Sequence, residues 1–175
     1  MVKLIRSFIA AALAGLVASD LLWQKAEASS NAGDESEAEQ FLWPQNQARA
    51  RLGLAPMEWD PHLVAYATWW ASERRATGDC RLAHSGGPYG ENIFWGSRGR
   101  NWQPADAVWA WLREGQWYNH WSNTCSFGNS CGHYTQIMWR QSTRVGCAEQ
   151  VCSDGNTFMT CNYYPPGNWV GQRPY

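Results

Sequence analysis

From Gln40 to Tyr175 the chain has no lysine, no CxxC, no HExxH and no N-x-S/T sequon. Eleven arginines there face nine acids and do not cluster, so this part is only slightly basic and offers no stripe for nucleic acid. Without CxxC, the cysteines lack the ligand spacing of a structural zinc site. Without HExxH there is no helix-borne protease zinc site, and no serine stands in a recognisable nucleophile setting. Without a sequon, ordinary N-glycosylation is not expected. No apolar run approaches the ~20 residues of a membrane span, and no internal repeat occurs.

One short apolar run is present at the start. Lys3 and Arg6 precede "SFIAAALAGLVA", and "AEA" at Ala26–Ala28 is a small-x-small cleavage site. Residues 1–28 are therefore expected to be a signal peptide, with cleavage after Ala18 as an alternative, and the protein to be secreted and extracellular (apoplast). Cleavage before Ser29 leaves 147 residues, one domain's worth. Residues 29–39 are small and acidic and are expected to form a disordered lead-in to a domain over 40–175. Twelve tryptophans follow residue 28, more than such a core requires, so some should line a groove or face a partner.

All six cysteines follow residue 79. An even count in an exported chain implies a disulfide framework, with fifteen connectivities open. Cys125 and Cys131 bracket a short glycine-containing loop that can close on itself. "RVGCAEQV" and "TFMTCNYY" alternate around the turn signal "SDGN", a hairpin that brings Cys147 to Cys161. That leaves Cys80 with Cys152. Upstream, "PQNQARARLGLAP" reads as a first helix with Pro44 near its first turn. In "WDPHLVAYATWWASERRATG" Asp60 is the N-cap, Pro61 the first helical residue and Gly78 the stop. A third helix starts at Pro104 and a short fourth is "HYTQIMW". Helices first and a late antiparallel hairpin argue for an α+β domain with helices on a small sheet.

His84 and Glu91 lie in "LAHSGGPYGENIFWG", a stretch too rich in glycine for a helix and read as a surface loop. Glu114 lies on the third helix on an otherwise apolar strip, and His133 opens the fourth. Each alone has a bland explanation as a cap, a core hydrogen-bonder or a solvated side chain. Two imidazoles and two carboxylates in one cleft would instead perturb each other's protonation and favour a divalent cation.

"AHSGGPYGENI", "NHWSNTCSFGNSCGHYTQIMW", "RVGCAEQVC" and "CNYYPPGNWVGQRPY" resemble the signatures of the CAP superfamily. That superfamily unites cysteine-rich secretory proteins, antigen five and plant pathogenesis-related proteins of class one, and the plant class is the nearest. The resemblance covers about Phe41 to Tyr175. It implies a three-layer α-β-α sandwich with the three disulfides argued above. It also implies a central cavity holding His84, Glu91, Glu114 and His133, in which some members hold zinc or another divalent metal. No cofactor is required. Gln45 stands where the plant class usually has histidine, and Tyr164 where "CNYD" is usual.

The resemblance implies a non-enzymatic, monomeric defence protein that binds sterol or a similar lipid of pathogen membranes, with an antimicrobial role. The sterol site is expected in the loop of Ile93, Phe94, Trp95 and Trp102, where rigid rings suit a flat apolar ligand. In the plant class the residues after "CNYx" are released as a signalling peptide. Here a protease would cut between Tyr164 and Pro165 and free residues 165–175. The alternative function is a metal-dependent hydrolase using His84, His133 and one glutamate. Ser85 stands beside His84, but neighbours in sequence on a loop rarely face each other, so it does not supply a nucleophile setting. A carbohydrate-binding module draws only on the tryptophan count.

Overall fold

A computed structural model describes residues 36–78 and 80–175. The expected signal peptide and most of the acidic lead-in lie outside the described residues. The elements begin with helix α1 (Glu37–Arg51), strand β1 (Glu58–Trp59) and helix α2 (Pro61–Ala76). Strand β2 (Gly90–Gly96) and helix α3 (Pro104–Arg113) follow, and α3 continues into a 3₁₀ turn at Glu114–Trp117. Then come β3 (Tyr118–Asn119), β4 (Thr124–Cys125), helix α4 (Gly132–Ile137), and strands β5 (Arg144–Val151) and β6 (Thr157–Tyr164).

Helix α1 starts earlier than the position of Pro44 suggests. Glu37 and Glu39 occupy its first turn, where carboxylates suit the positive end of the helix dipole, and Phe41 is fully buried. Pro44 is therefore internal, and residues 37–39, expected to belong to the lead-in, are helical. Helix α2 begins as its sequence indicates: Asp60 Oδ1 accepts from the backbone N–H of His62 and Leu63, and Pro61 follows it. The other Asp60 oxygen takes the Arg144 guanidinium at 3.0 Å, tying this cap to β5.

The main sheet has the order β1-β5-β6-β2. Its pairs are antiparallel apart from two-residue β1, which runs parallel to β5, so the sheet is mixed. Strand β2 was not legible as a strand. Asn92 and Ile93 are both buried, on opposite faces, so the alternation that marks a half-exposed strand is missing. Only residues 82–89 of that glycine-rich segment are irregular.

Helices cover both faces. On one, Phe41 of α1, Val108 and Trp111 of α3 and Ile137 of α4 pack on Val145, Met159 and Tyr163. On the other, Ala67 and Ala71 of α2 pack on Ile93, Ala148 and Phe158. Helix α2 lies so close to β5 that a Cβ on Gly146 would sit 2.3 Å from the Val64 backbone nitrogen. The disulfides are Cys80–Cys152, Cys125–Cys131 and Cys147–Cys161, the last joining directly opposed residues of β5 and β6.

Arg49 is fully buried in this fold. Its guanidinium donates to the carbonyls of Ala55, Ile137, Trp139 and Ser142, locking the end of α1 to the end of α4. Burial pulls its pKa down to about 10, against an opposing influence of Tyr163.

Candidate functional site

The four residues singled out in the sequence are joined as two pairs. In the first, His84 Nδ1 lies 2.7 Å from Glu91 Oε1. Glu91, the second residue of β2, accepts three further bonds, from Ser85 N, Ser85 Oγ and Asn162 Nδ2. Burial alone would raise the Glu91 pKa, but the bonds from His84, Ser85 and Asn162 outweigh it and hold the carboxyl below its usual range. The hydrogen bond to Glu91 raises the His84 pKa, with burial opposing.

In the second pair, His133 Nδ1 lies 2.6 Å from Glu114 Oε1. Glu114 Oε2 accepts from the backbone N–H of His133 and Tyr134, the opening residues of α4. The carboxylate thus serves the helix start that Cys131, which makes no side-chain cap bond, leaves open. The His133 ring stacks on Trp111, whose indole N–H donates to Ile93 O.

Edge strand β2 lies between the pairs. Glu91 meets Asn162 on one face, while Asn92 turns to the other and donates to His133 O and to Tyr163 Oη. Tyr163 donates in turn to Gln45 Oε1, and Gln45 Nε2 donates to Phe41 O. Gln45 is therefore connected to the site through a buried chain of hydrogen bonds. Sequence reasoning missed that chain, yet a signal for it existed: Phe41, Gln45 and Arg49 recur every four residues on one stripe of α1, so polar residues share the buried face that Phe41 marks.

A cavity of about 290 Å³ beside the first pair is lined by His84, Ser85, Tyr89, Glu91, Gln136 and Asn168, among others. His133 and Glu114 do not line it. Each imidazole gives Nδ1 to a carboxylate, so Nε2 is the nitrogen left for a cation. Among the described residues, no three His, Cys, Asp or Glu side chains come close enough together to hold a metal ion. A zinc with three protein ligands does not fit this arrangement.

The expected sterol loop is divided by the strand. Ile93 is buried against α2, whereas Phe94 packs on the opposite core and meets the Trp102 ring edge-on at 5.2 Å. Trp95 alone of the four is largely exposed. A larger apolar cavity, about 330 Å³, lies instead between α1, α3 and α4. Ala48, Leu52, Trp109, Leu112, Tyr134 and Met138 supply its apolar walls, with Arg51 and Arg113 also lining it.

The tail 165–175 is docked. Gln136 Oε1 accepts from Gly167 N, Arg140 N donates to Pro174 O at 2.7 Å, and the Tyr175 ring stacks on His120 at 4.5 Å. Trp169, the residue with the obvious anchoring chemistry, is exposed. Tyr164 is also exposed, with the Arg144 guanidinium 4.7 Å over its ring.

The family model described as CAP, the cysteine-rich secretory protein family, matches residues 42–163. The chain is 61% identical to pathogenesis-related protein PR-1 of Medicago truncatula over 137 residues, 78% of each chain. It is 51% identical to pathogenesis-related protein PRMS of Zea mays over 142 residues, 81% of this chain and 84% of that one. The crystal structure of NaASP2 with Zn2+ shares the fold, with a TM-score of 0.64 and 24% identity over 82% of this chain and 87% of that one. Motifs, three-layer architecture, disulfides and these similarities agree: the chain belongs to the CAP, cysteine-rich secretory protein family, next to the plant pathogenesis-related proteins of class one.

Proposed function

We propose that the protein is a secreted, non-enzymatic plant defence protein that binds a sterol or similar lipid of pathogen membranes and acts as an antimicrobial, with residues 165–175 as a releasable peptide. The observation that carries the lipid reading is the 330 Å³ apolar cavity between α1, α3 and α4. Its volume is at the small end of the range for small-molecule sites, and its apolar walls with two arginines suit an amphipathic ligand. The rings expected from the sequence to form the site are largely used up by the core, since Phe94 and Trp102 pack against it. The cavity takes their place in this reading.

A fluorescent-sterol binding assay tests it. Ala48→Trp, which fills the cavity, should weaken binding at least about tenfold, while Trp95→Ala and Trp102→Ala should leave it largely intact. Loss in the tryptophan variants alone would return the site to the β2 region. No binding by the wild-type protein would remove the lipid reading.

The hydrolase alternative gains little from the geometry. The Ser85 hydroxyl donates to Glu91, whose lowered pKa makes it a poor base, and not to His84. Zinc accompanies NaASP2 in its crystal structure, and that observation belongs to NaASP2 alone. Calorimetric titration of the present chain with zinc, followed by a hydrolase screen, tests the same idea here: turnover dependent on added zinc would overturn the non-enzymatic reading.

A further inference from the structure

The two turns at the tips of the disulfide loop and the tail are built alike. Ser126 O accepts from Asn129 N, and Trp169 O accepts from Gln172 N, so each closes a four-residue turn. The third residue of each is a glycine with positive φ, Gly128 at 77° and Gly171 at 79°, as a type II turn requires. The second residue, at the outer corner, is Phe127 in one and Val170 in the other. Both are fully exposed. Corners of this kind ordinarily carry proline or polar residues. Placing a large apolar side chain at both is not explained by packing within the chain.

A third apolar tip stands beside them. Trp121, in the turn between β3 and β4, is 89% exposed. The Trp121 and Val170 tips are fastened together, and the Phe127 tip belongs to the disulfide loop whose Cys125 and Cys131 line the same groove. Asn123 Nδ2 donates to Gln172 O, and the Arg173 guanidinium donates to the carbonyls of His120 and Trp121. A groove between them is lined by Asn123, Cys125, Cys131, Trp169 and Gln172, and the Cys125–Cys131 disulfide stiffens one side. The sequence supplying this face contains no acidic side chain: none occurs from Gly115 to Ala148 or from Gly155 to Tyr175. Arg173 lies within the tail, with its guanidinium on the His120 and Trp121 carbonyls, and the Arg140 backbone N–H donates to Pro174 O.

We propose that this face docks on a phospholipid bilayer, with Trp121, Phe127 and Val170 inserted at the headgroup–acyl boundary. Separate convex tips suit a deformable apolar layer better than a protein partner, which would receive such anchors in preformed pockets. Tryptophan and phenylalanine are favoured at the membrane interface. Stretches without acidic side chains that carry Arg173 at the tips complement an anionic leaflet. The mode is peripheral, because no described helix is long and apolar enough to cross a membrane. The inference does not rest on the lipid cavity, which lies between α1, α3 and α4 and is lined by other residues.

Flotation with sterol-free vesicles tests it, using phosphatidylcholine alone and phosphatidylcholine mixed with phosphatidylglycerol. The wild-type protein should float with both and more strongly with the mixture. Phe127→Ser/Val170→Ser should lower the partition coefficient about tenfold or more, and Phe127→Leu/Val170→Leu should hold it within about threefold of wild type. Trp43→Ala, an exposed tryptophan on α1, should bind as wild type does. Binding of the serine pair equal to wild type would overturn the proposal, as would failure of the wild-type protein to float with either vesicle. Wild-type self-association abolished by the serine pair, without flotation, would assign the face to a second copy of the chain instead. Ala48→Trp should float normally, so loss of sterol binding and loss of docking are read separately.

Discussion

His84 and Glu91 are seven residues apart and His133 and Glu114 nineteen, yet both imidazoles set Nδ1 against a carboxylate oxygen, at 2.7 and 2.6 Å. What differs is the company each carboxylate keeps. Glu91 gathers the local loop: His84 and Ser85 precede it closely, and only Asn162 comes from afar. Glu114 joins separate elements, because the end of α3 uses it to hold the first turn of α4. The same two residue types therefore make a loop clasp on one side of β2 and a tertiary strut on the other. A functional reading of the four residues has to begin after this structural work is subtracted.

Replacing the two glutamates should separate these roles. Glu114→Ala leaves the His133 and Tyr134 amides and the His133 ring without their acceptor at a helix start, and should cost about 2–4 kcal/mol. Glu91→Ala frees donors that lie mostly in an irregular loop able to rehydrate, and should cost about 1–2 kcal/mol. Urea denaturation of both variants checks the order. A larger loss at Glu91 would mean that the loop, and not the strut, organises the site.

Much of this organisation was legible because it depends on local rules. The α2 cap at Asp60, the hairpin around Ser153–Asn156 and the Cys125–Cys131 and Cys147–Cys161 pairings each follow from residues close in sequence or from one turn, and Cys80–Cys152 follows by elimination. The rest depends on burial on both sides of a strand. Strand β2 carries Asn92 and Ile93 inward on opposite faces, so no alternation announces it. The four site residues stand out in the sequence and the resemblance groups them in one cavity, but their division into two pairs required knowing that β2 is a sheet edge with α4 beside it. The docking of the tail gives no sequence signal for a different reason: its tryptophan is exposed, and a backbone carbonyl at Pro174 and the stacked ring of Tyr175 hold it.

The pairs should also differ in pH response, and His84 is the side to test. Its folded-state pKa lies above the ordinary 6.5, so its contribution to stability is full below that value and is lost as pH rises through the raised one. The Glu91 pKa lies below the ordinary 4.5, so its contribution is present above that value and is lost as pH falls through the lowered one. Both contributions coexist between about pH 4.5 and 6.5. Glu149 runs the other way: burial, with Glu37 adding to it, pushes its pKa up to about 7, so its ionisation destabilises the fold as pH rises. Subtracting a His84→Asn curve from the wild-type curve removes that shared background. The difference should shrink on the alkaline side; a flat difference would mean that the clasp is not ionic. Because His84 is 60% exposed, the amplitude should be only a few tenths of a kcal/mol.

A small effect on stability, and the most informative for function, belongs to the tail that leans on the strut side through Tyr134 and Gln136. Tyr175 Oη lies 3.2 Å from Tyr134 Oη, and Tyr164 O accepts from Thr143 N while Pro165 O accepts from Ser142 Oγ. The peptide bond between Tyr164 and Pro165 is thus held on both sides, and a protease must wait for local opening. Tyr175→Ala removes the far anchor and should raise the opening population, and with it the cleavage rate, roughly three- to tenfold while global stability changes by less than about 1 kcal/mol. Tyr164→Asp, which restores the residue usual in the plant class, changes recognition of the bond and removes the ring beneath the Arg144 guanidinium. Mass spectrometry of extracellular fluid should find a fragment beginning at Pro165 from the wild-type protein, and more of it from Tyr175→Ala. A fragment seen only from Tyr164→Asp would show that opening is not the limit and that the residue at 164 is. In that case the tail of this chain is a strap, and the releasable-peptide part of the proposed function falls while lipid binding stands.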